Sequence, residues 1–294
     1  MAENSKIEWT NHTTNLWWGC TEVHDGCDNC YARILSNRYN HDNPLWGNDV
    51  PRKERKTWAK DLIKYNKKAE KANEIHRVFI GSMMDIFEKP MPLINYKGEK
   101  LEYNTGDVRD VLFKSIVPFT PNLMYLFLTK RPSNINKYIP ESWKSNPPKN
   151  VMFGTSPVNQ KTADTLIPQL LQVNGKRFLS VEPQLSERSL SEYLWMPKDY
   201  CSECGTGGVH LKKPCDNDCG FKPINWVICG GESGHNKRPF DADWARKLKK
   251  ECYDNRVPFF FKQIDKIQQI PEDLIIKEFP ECNNIGYWSK INNI

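Results

Sequence analysis

Cys20, Cys27 and Cys30 fall within one short stretch, spaced C-x6-C-x2-C and flanked by Gly19 and Gly26. Thiolates this close together select a soft metal, either zinc or the iron of an iron–sulfur cluster. A structural zinc site takes four ligands, and His24 in the same loop supplies a candidate fourth. An iron–sulfur cluster held by three cysteines alone keeps one iron open, which a substrate-activating cluster requires. The spacing leaves both readings standing. A second set, Cys201, Cys204, Cys215 and Cys219, reads C-x2-C-x10-C-x3-C. Two close pairs on a short glycine-rich hairpin suit a tetrahedral zinc site with four thiolate ligands, a second iron–sulfur cluster being the alternative. So small a segment has no core of its own, so the metal would hold it folded. Cys229 and Cys252 stand alone and read as buried and inert, and Cys282 is left unassigned.

Short apolar runs recur along the chain at 77–82, 123–130, 151–156, 177–182, 226–231 and 257–262. Continuous apolar runs of this length predict strands buried on both faces, as in a parallel sheet. Helical patterns lie between them: 31–39 after the cysteine loop, 162–171 with Pro168 as a boundary or kink, and 241–252 with an acidic start and a basic end. The alternation predicts an α/β fold with a parallel sheet. Ser82 and Asp85, Thr129 to Arg131, Ser156, Glu182 and Glu232 all fall at or just after a run's end. That is the carboxyl edge, where barrels and open α/β sheets place their chemistry. Residues 88–120, with Pro90, Pro92 and Pro118, read as a loop with one short helix. Residues 196–224 read as an inserted minidomain.

The 294 residues suffice for one large α/β domain or two small ones; 38% are hydrophobic and 27% charged, the balance of a soluble globular protein. No apolar run approaches the roughly 18–20 residues needed to cross a bilayer, and no apolar segment follows the first residues as in a secretory signal. A cytoplasmic protein is expected, where cysteines act as ligands or catalysts rather than disulfides. The net charge of +6 is compatible with a polyanionic partner without requiring one. The basic residues concentrate in 51–77, and this stretch reads equally as a solvated helix face or as a phosphate-contacting surface.

The stretches Ile7-Glu8-Trp9-Thr10, Gly19 through Ala32, Gly81-Ser82-Met83-Met84-Asp85-Ile86-Phe87 and Leu128-Thr129-Lys130-Arg131-Pro132 carry a family resemblance. So do Ser180-Val181-Glu182-Pro183, Gly230-Gly231-Glu232-Ser233-Gly234 and Pro258-Phe259-Phe260-Phe261-Lys262-Gln263. The chain resembles the S-adenosylmethionine radical superfamily, and within it a phage- and prophage-associated family with a C-x6-C-x2-C motif. The usual superfamily spacing is C-x3-C-x2-C, so the first gap is longer here. The resemblance implies a partial (β/α)6 TIM-like barrel over 1–195 and 225–270, a four-cysteine zinc knuckle inserted at 196–224, and a C-terminal extension at 271–294. It implies a [4Fe–4S] cluster on Cys20, Cys27 and Cys30 that cleaves S-adenosylmethionine to a 5′-deoxyadenosyl radical, fed by an electron donor such as flavodoxin or ferredoxin.

On the same resemblance, Ser82 and Asp85 are expected to meet the methionine amine. Thr129, Lys130 and Arg131 are expected to grip its carboxylate or a substrate phosphate, against an ordinary loop salt bridge. Glu182 is read as a ribose or substrate contact, with Ser156 a further candidate. Gly230 and Gly231 would let backbone approach the ligand, with Glu232 the alternative amine partner. Lys262 is either a substrate contact or half of a barrel-closing ion pair. Trp9, Trp17 and Trp18 are read as packing around the cluster. The expected activity is radical modification or repair of a base or nucleotide in DNA or RNA. A zinc-stabilised, non-catalytic nucleic-acid-binding protein and a peptide-modifying radical enzyme are the alternatives.

Overall fold

The computed structural model describes residues 2–40, 44–194, 224–234 and 236–280. The predicted zinc ligands Cys201, Cys204, Cys215 and Cys219, and Cys282, lie outside the described residues. The main sheet has eight strands in chain order: β1 (Ala2–Glu3), β2 (His12–Thr14), β3 (His76–Ile80), β4 (Leu123–Thr129), β5 (Val151–Thr155), β6 (Lys176–Val181), β7 (Trp226–Cys229) and β8 (Phe259–Phe261). β1 pairs antiparallel with β2, and β2 to β8 are parallel throughout. The order never reverses, so there is no switch point as in a doubly wound sheet. Same-handed crossovers then put the helices on one face and leave the other to curl inward.

Alternation along each strand bears this out. Tyr125 and Phe127 of β4, Leu179 and Val181 of β6, and Val227 and Cys229 of β7 pack outward against the helices Trp58–Ala72, Gln160–Leu171 and Ala242–Asp254. Their neighbours Phe79, Met124, Leu126, Met152, Phe178, Trp226, Ile228 and Phe260 form a separate core with Trp9, on the concave side. Residues 276–280 return antiparallel along β8, with Phe261 N–H bonded to Ile276 O at 2.9 Å and Glu278 N–H to Phe259 O at 3.1 Å. Lys277 pairs with Glu8 at 2.5 Å, and the Arg77 guanidinium lies 4.0 Å from the centre of the Phe279 ring. These contacts join the two edges of the curled sheet, a half-barrel compatible with a partial TIM-like fold.

Two expectations are corrected. Residues 88–120 carry strands: Pro92–Ile94 and Lys100–Asn104 form a hairpin that joins Arg52–Glu54 and Trp17–Trp18 in a second, four-stranded sheet, followed by the helix Thr105–Val111. Of the two readings of Pro168, boundary or kink, the first is excluded: the helix runs through it from Gln160 to Leu171. An interior proline costs about 3 kcal/mol. Burial of Leu166, Ile167 and Leu170, at roughly 1.5–3 kcal/mol each, outweighs it. No helix among the described residues is long and apolar enough to cross a membrane.

Candidate functional site

The same alternation that fills the half-barrel with apolar side chains makes its rim polar. Two residues beyond the inward-facing set, β4 gives Leu128 then Lys130, β6 gives Ser180 then Glu182, and β8 gives Lys262. A cavity with about 1160 Å³ of empty space, its solvent mouth included, opens there. Cys20, Cys27 and Cys30 all line it. So do Ser82, Asp85, Thr129, Lys130, Ser156, Glu182, Gly231 and Glu232; of the expected contacts only Gly230 does not.

The cysteine loop follows β2, the first parallel strand. Gly19 leads into it with φ +118°, where a Cβ would collide with the Leu45 carbonyl and with Arg52 Cδ at 2.6 Å. Only glycine fits without strain. Gly19→Ala is expected to cost about 1–3 kcal/mol; denaturant unfolding measures it, and an unperturbed variant contradicts this role. Cys27 ends the short 3-10 turn Asp25–Cys27, and Cys30 precedes the helix Tyr31–Tyr39.

Three clamps hold the loop. Arg52, wholly buried, donates to Thr21 Oγ1 at 2.9 Å, to the Leu45, Val50 and Gly47 carbonyls at 3.0, 2.8 and 3.0 Å, and to both oxygens of buried Glu88. Arg131 donates to the Thr21 carbonyl at 2.5 Å and to Asp85 Oδ2 at 2.7 Å, and its Nη1 lies 3.8 Å from Cys20 Sγ. At the far end Asn29 Nδ2 donates to Glu232 Oε2 at 2.9 Å, and Arg238 bridges Glu232 at 2.7 Å to Asp28 at 3.1 Å. The loop therefore spans the mouth from the β3–β4 edge to the β7 edge.

These bonds reassign several expected contacts. Asp85 accepts from Thr129 Oγ1 at 2.7 Å, Phe87 N–H at 2.9 Å, Lys130 N–H at 3.2 Å and Arg131. Its carboxylate is engaged in orienting Arg131, and the Thr129 hydroxyl is spent on it. Glu232 is likewise held by Arg238 and Asn29: burial works against its charge, yet these hydrogen bonds keep its carboxyl below the usual range. Gly231 is required by packing, because a Cβ there would enter the Ile264 carbonyl. Glu182 pairs with Lys262 across the rim, so the ion-pair reading of Lys262 holds. Ser82 Oγ accepts from Asn15 Nδ2 at 2.9 Å, and the Ser82 carbonyl accepts from Tyr31 Oη at 2.8 Å. Among the described residues the Lys130 ammonium has no hydrogen bond or ion pair, and the Ser156 and Ser180 hydroxyls have no hydrogen bond. Of the three tryptophans expected to pack around the cysteines, Trp9 is buried at the cavity, Trp17 is buried in the outer core, and Trp18 is half-buried.

The thiols share a cavity rather than a point. Among the described residues, no three His, Cys, Asp or Glu side chains converge to hold one metal ion. His24 is turned into its own loop, its Nδ1 accepting from Gly26 N–H at 3.1 Å; burial, then the nearby Lys130 charge, lower it to about 4. A cluster would take one thiolate on each of three of its irons. Burial, reinforced by Asp85 and opposed by Arg131, pushes the Cys20 thiol up to about 12. Cys229, also raised to about 12 by burial, and Cys252 face the outer core as inert thiols.

Fold and site together define a curled parallel α/β half-barrel with a three-cysteine cavity at its carboxyl edge. The chain belongs to the family described as "Protein of unknown function (DUF5131)", whose model matches residues 4–277. No curated protein and no solved structure matches it.

Proposed function

We propose that this protein is a radical S-adenosylmethionine enzyme, with a [4Fe–4S] cluster on Cys20, Cys27 and Cys30, acting on a base or nucleotide of a nucleic acid. The observation that carries the reading is the position of all three cysteines: on the loop after the first parallel strand, around one polar-rimmed cavity. When bound, the cluster and S-adenosylmethionine supply a 5′-deoxyadenosyl radical able to take hydrogen from unactivated carbon. The chain's own residues bind and orient. Lys130 offers an unpaired ammonium to a carboxylate. Ser156 and Ser180 offer free hydroxyls, and Ser82, fixed by Asn15, remains the amine candidate. Arg131 and Arg52 hold the loop, and the apolar floor of Trp9, Phe79 and Leu128 keeps water out. The nucleic-acid half of the reading rests on the basic balance and on the resemblance to phage-associated proteins. The four cysteines at 201, 204, 215 and 219 are proposed as a zinc site on their spacing alone.

The reduced, reconstituted protein is expected to convert S-adenosylmethionine to methionine and 5′-deoxyadenosine. Lys130→Met removes a charge-assisted hydrogen bond of about 1.5–3 kcal/mol, so cofactor affinity should fall roughly tenfold to a hundredfold with the cluster spectrum unchanged. Unchanged affinity moves the carboxylate contact elsewhere. Absence of 5′-deoxyadenosine from the wild-type protein under strong reduction sinks the reading.

A further inference from the structure

We propose that the exposed face of the helix Trp58–Ala72, with the neighbouring hairpin tip at Tyr96, docks a single strand of nucleic acid; this rests on the proposed substrate class and adds where the strand is held. The helix buries Trp58, Leu62, Tyr65 and Ala69. On its other side Lys60, Lys64, Lys67 and Lys71 recur at helical spacing and share one exposed stripe. At about 1.5 Å per residue the stripe runs roughly 16 Å, the reach of several phosphates. Lys64 and Lys68 pair with Glu3. Lys60, Lys67 and Lys71 have no ion pair or hydrogen bond among the described residues. Like charges one helical turn apart, Lys60 with Lys64 and Lys67 with Lys71, disfavour the helix in the free chain. A bound polyanion turns that repulsion into attraction.

The stripe ends beside an aromatic platform. Lys56 lies just before the helix, with its ammonium 5.7 Å from the centre of the Tyr96 ring, and Lys97 sits 5.8 Å away from the same ring. Tyr96 is 68% exposed. Both ammonium groups lie over the ring, so a base would stack by displacing a mobile lysine head, which then meets its phosphate. Bases present their faces in this way only when unpaired, which favours a single strand over a duplex. An anionic membrane is the poorer fit: Ile63 is the one large apolar side chain on the stripe, too little to insert beneath headgroups.

The test is fluorescence anisotropy of a labelled single-stranded DNA with the full-length protein, without S-adenosylmethionine, over a range of salt. K60Q/K67Q/K71Q is expected to weaken binding about tenfold or more and to flatten the log–log salt slope by about two. Tyr96→Ala is expected to weaken it about fivefold to a hundredfold with the slope unchanged. K247Q/K250Q, on the helix Ala242–Asp254, should leave binding alone. The inference is overturned by equal losses in that control, by a triple variant that binds like wild type, by preference for the duplex, or by binding to anionic vesicles in place of DNA. A wild-type protein that makes 5′-deoxyadenosine yet binds no strand overturns the docking site and leaves the cofactor reading standing. Strand binding lost in the variants, from a protein that makes none, does the reverse.

Discussion

Alanine at any one of Cys20, Cys27 or Cys30 is expected to leave the chain folded and remove the proposed cluster's chromophore, with cluster content falling at least about tenfold. The physical reason is coordination rather than packing. With three protein thiolates and one open iron, losing a single cysteine leaves two irons without a protein ligand. Neither Cys20 nor Cys30 is fully buried, so truncating them opens little cavity volume. Iron and sulfide analysis after anaerobic reconstitution measures the loss, and the melting curve of the metal-free chain checks the fold. Zinc at the site proposed on Cys201, Cys204, Cys215 and Cys219 should be unaffected. A triple alanine variant that still holds a reducible cluster would exclude these residues as ligands.

The largest effect on stability is expected at Arg52. Its guanidinium and the Glu88 carboxylate are both buried and bonded at 2.7 and 3.0 Å. Removing Arg52 leaves the buried Glu88 carboxylate only Arg131, at 3.8 Å; breaking such a pair typically costs about 3–5 kcal/mol, against a total near 5–15 kcal/mol. Arg52→Met also releases the Leu45, Gly47, Val50 and Thr21 oxygens, which are the support of the cysteine loop. It should therefore lose both stability and iron loading. The double variant R52M/E88L should be less damaged than the sum of the single ones, because it leaves no orphan charge. Denaturant unfolding of the metal-free chains decides the matter; a loss below about 1 kcal/mol for Arg52→Met would show that water already reaches the pair.

The long parallel strands were legible because strands covered on both faces write continuous apolar runs, and β3 to β8 each coincide with such a run, β3 and β6 starting one residue before it. Their polar ends located the rim for the same reason. β2 was not legible: His12-Thr13-Thr14 is three residues long and polar, and its burial comes from partners such as Tyr65, on which His12 stacks at 4.0 Å. Arg52 sits in a basic stretch and looks like a solvated residue; what buries it, Glu88, is far along the chain. Asp85, Glu182 and Glu232 were correctly placed at the rim, but their ion-pair partners, Arg131, Lys262 and Arg238, are set by tertiary geometry that spacing does not encode. The free ammonium of Lys130 emerged only once the other rim charges were seen to be paired. Asn15 and Ser180 carry no local pattern that marks them.

The three-cysteine cavity is proposed to hold an iron–sulfur cluster with one open iron. Iron, sulfide and zinc should be counted in the anaerobically purified wild-type chain, with electron paramagnetic resonance of the reduced protein before and after adding S-adenosylmethionine. The account predicts about four iron and four sulfide per chain, zinc in addition, and a resonance that changes when the cofactor is added. A colourless protein that carries zinc alone, or a cluster whose resonance is indifferent to S-adenosylmethionine, would contradict it.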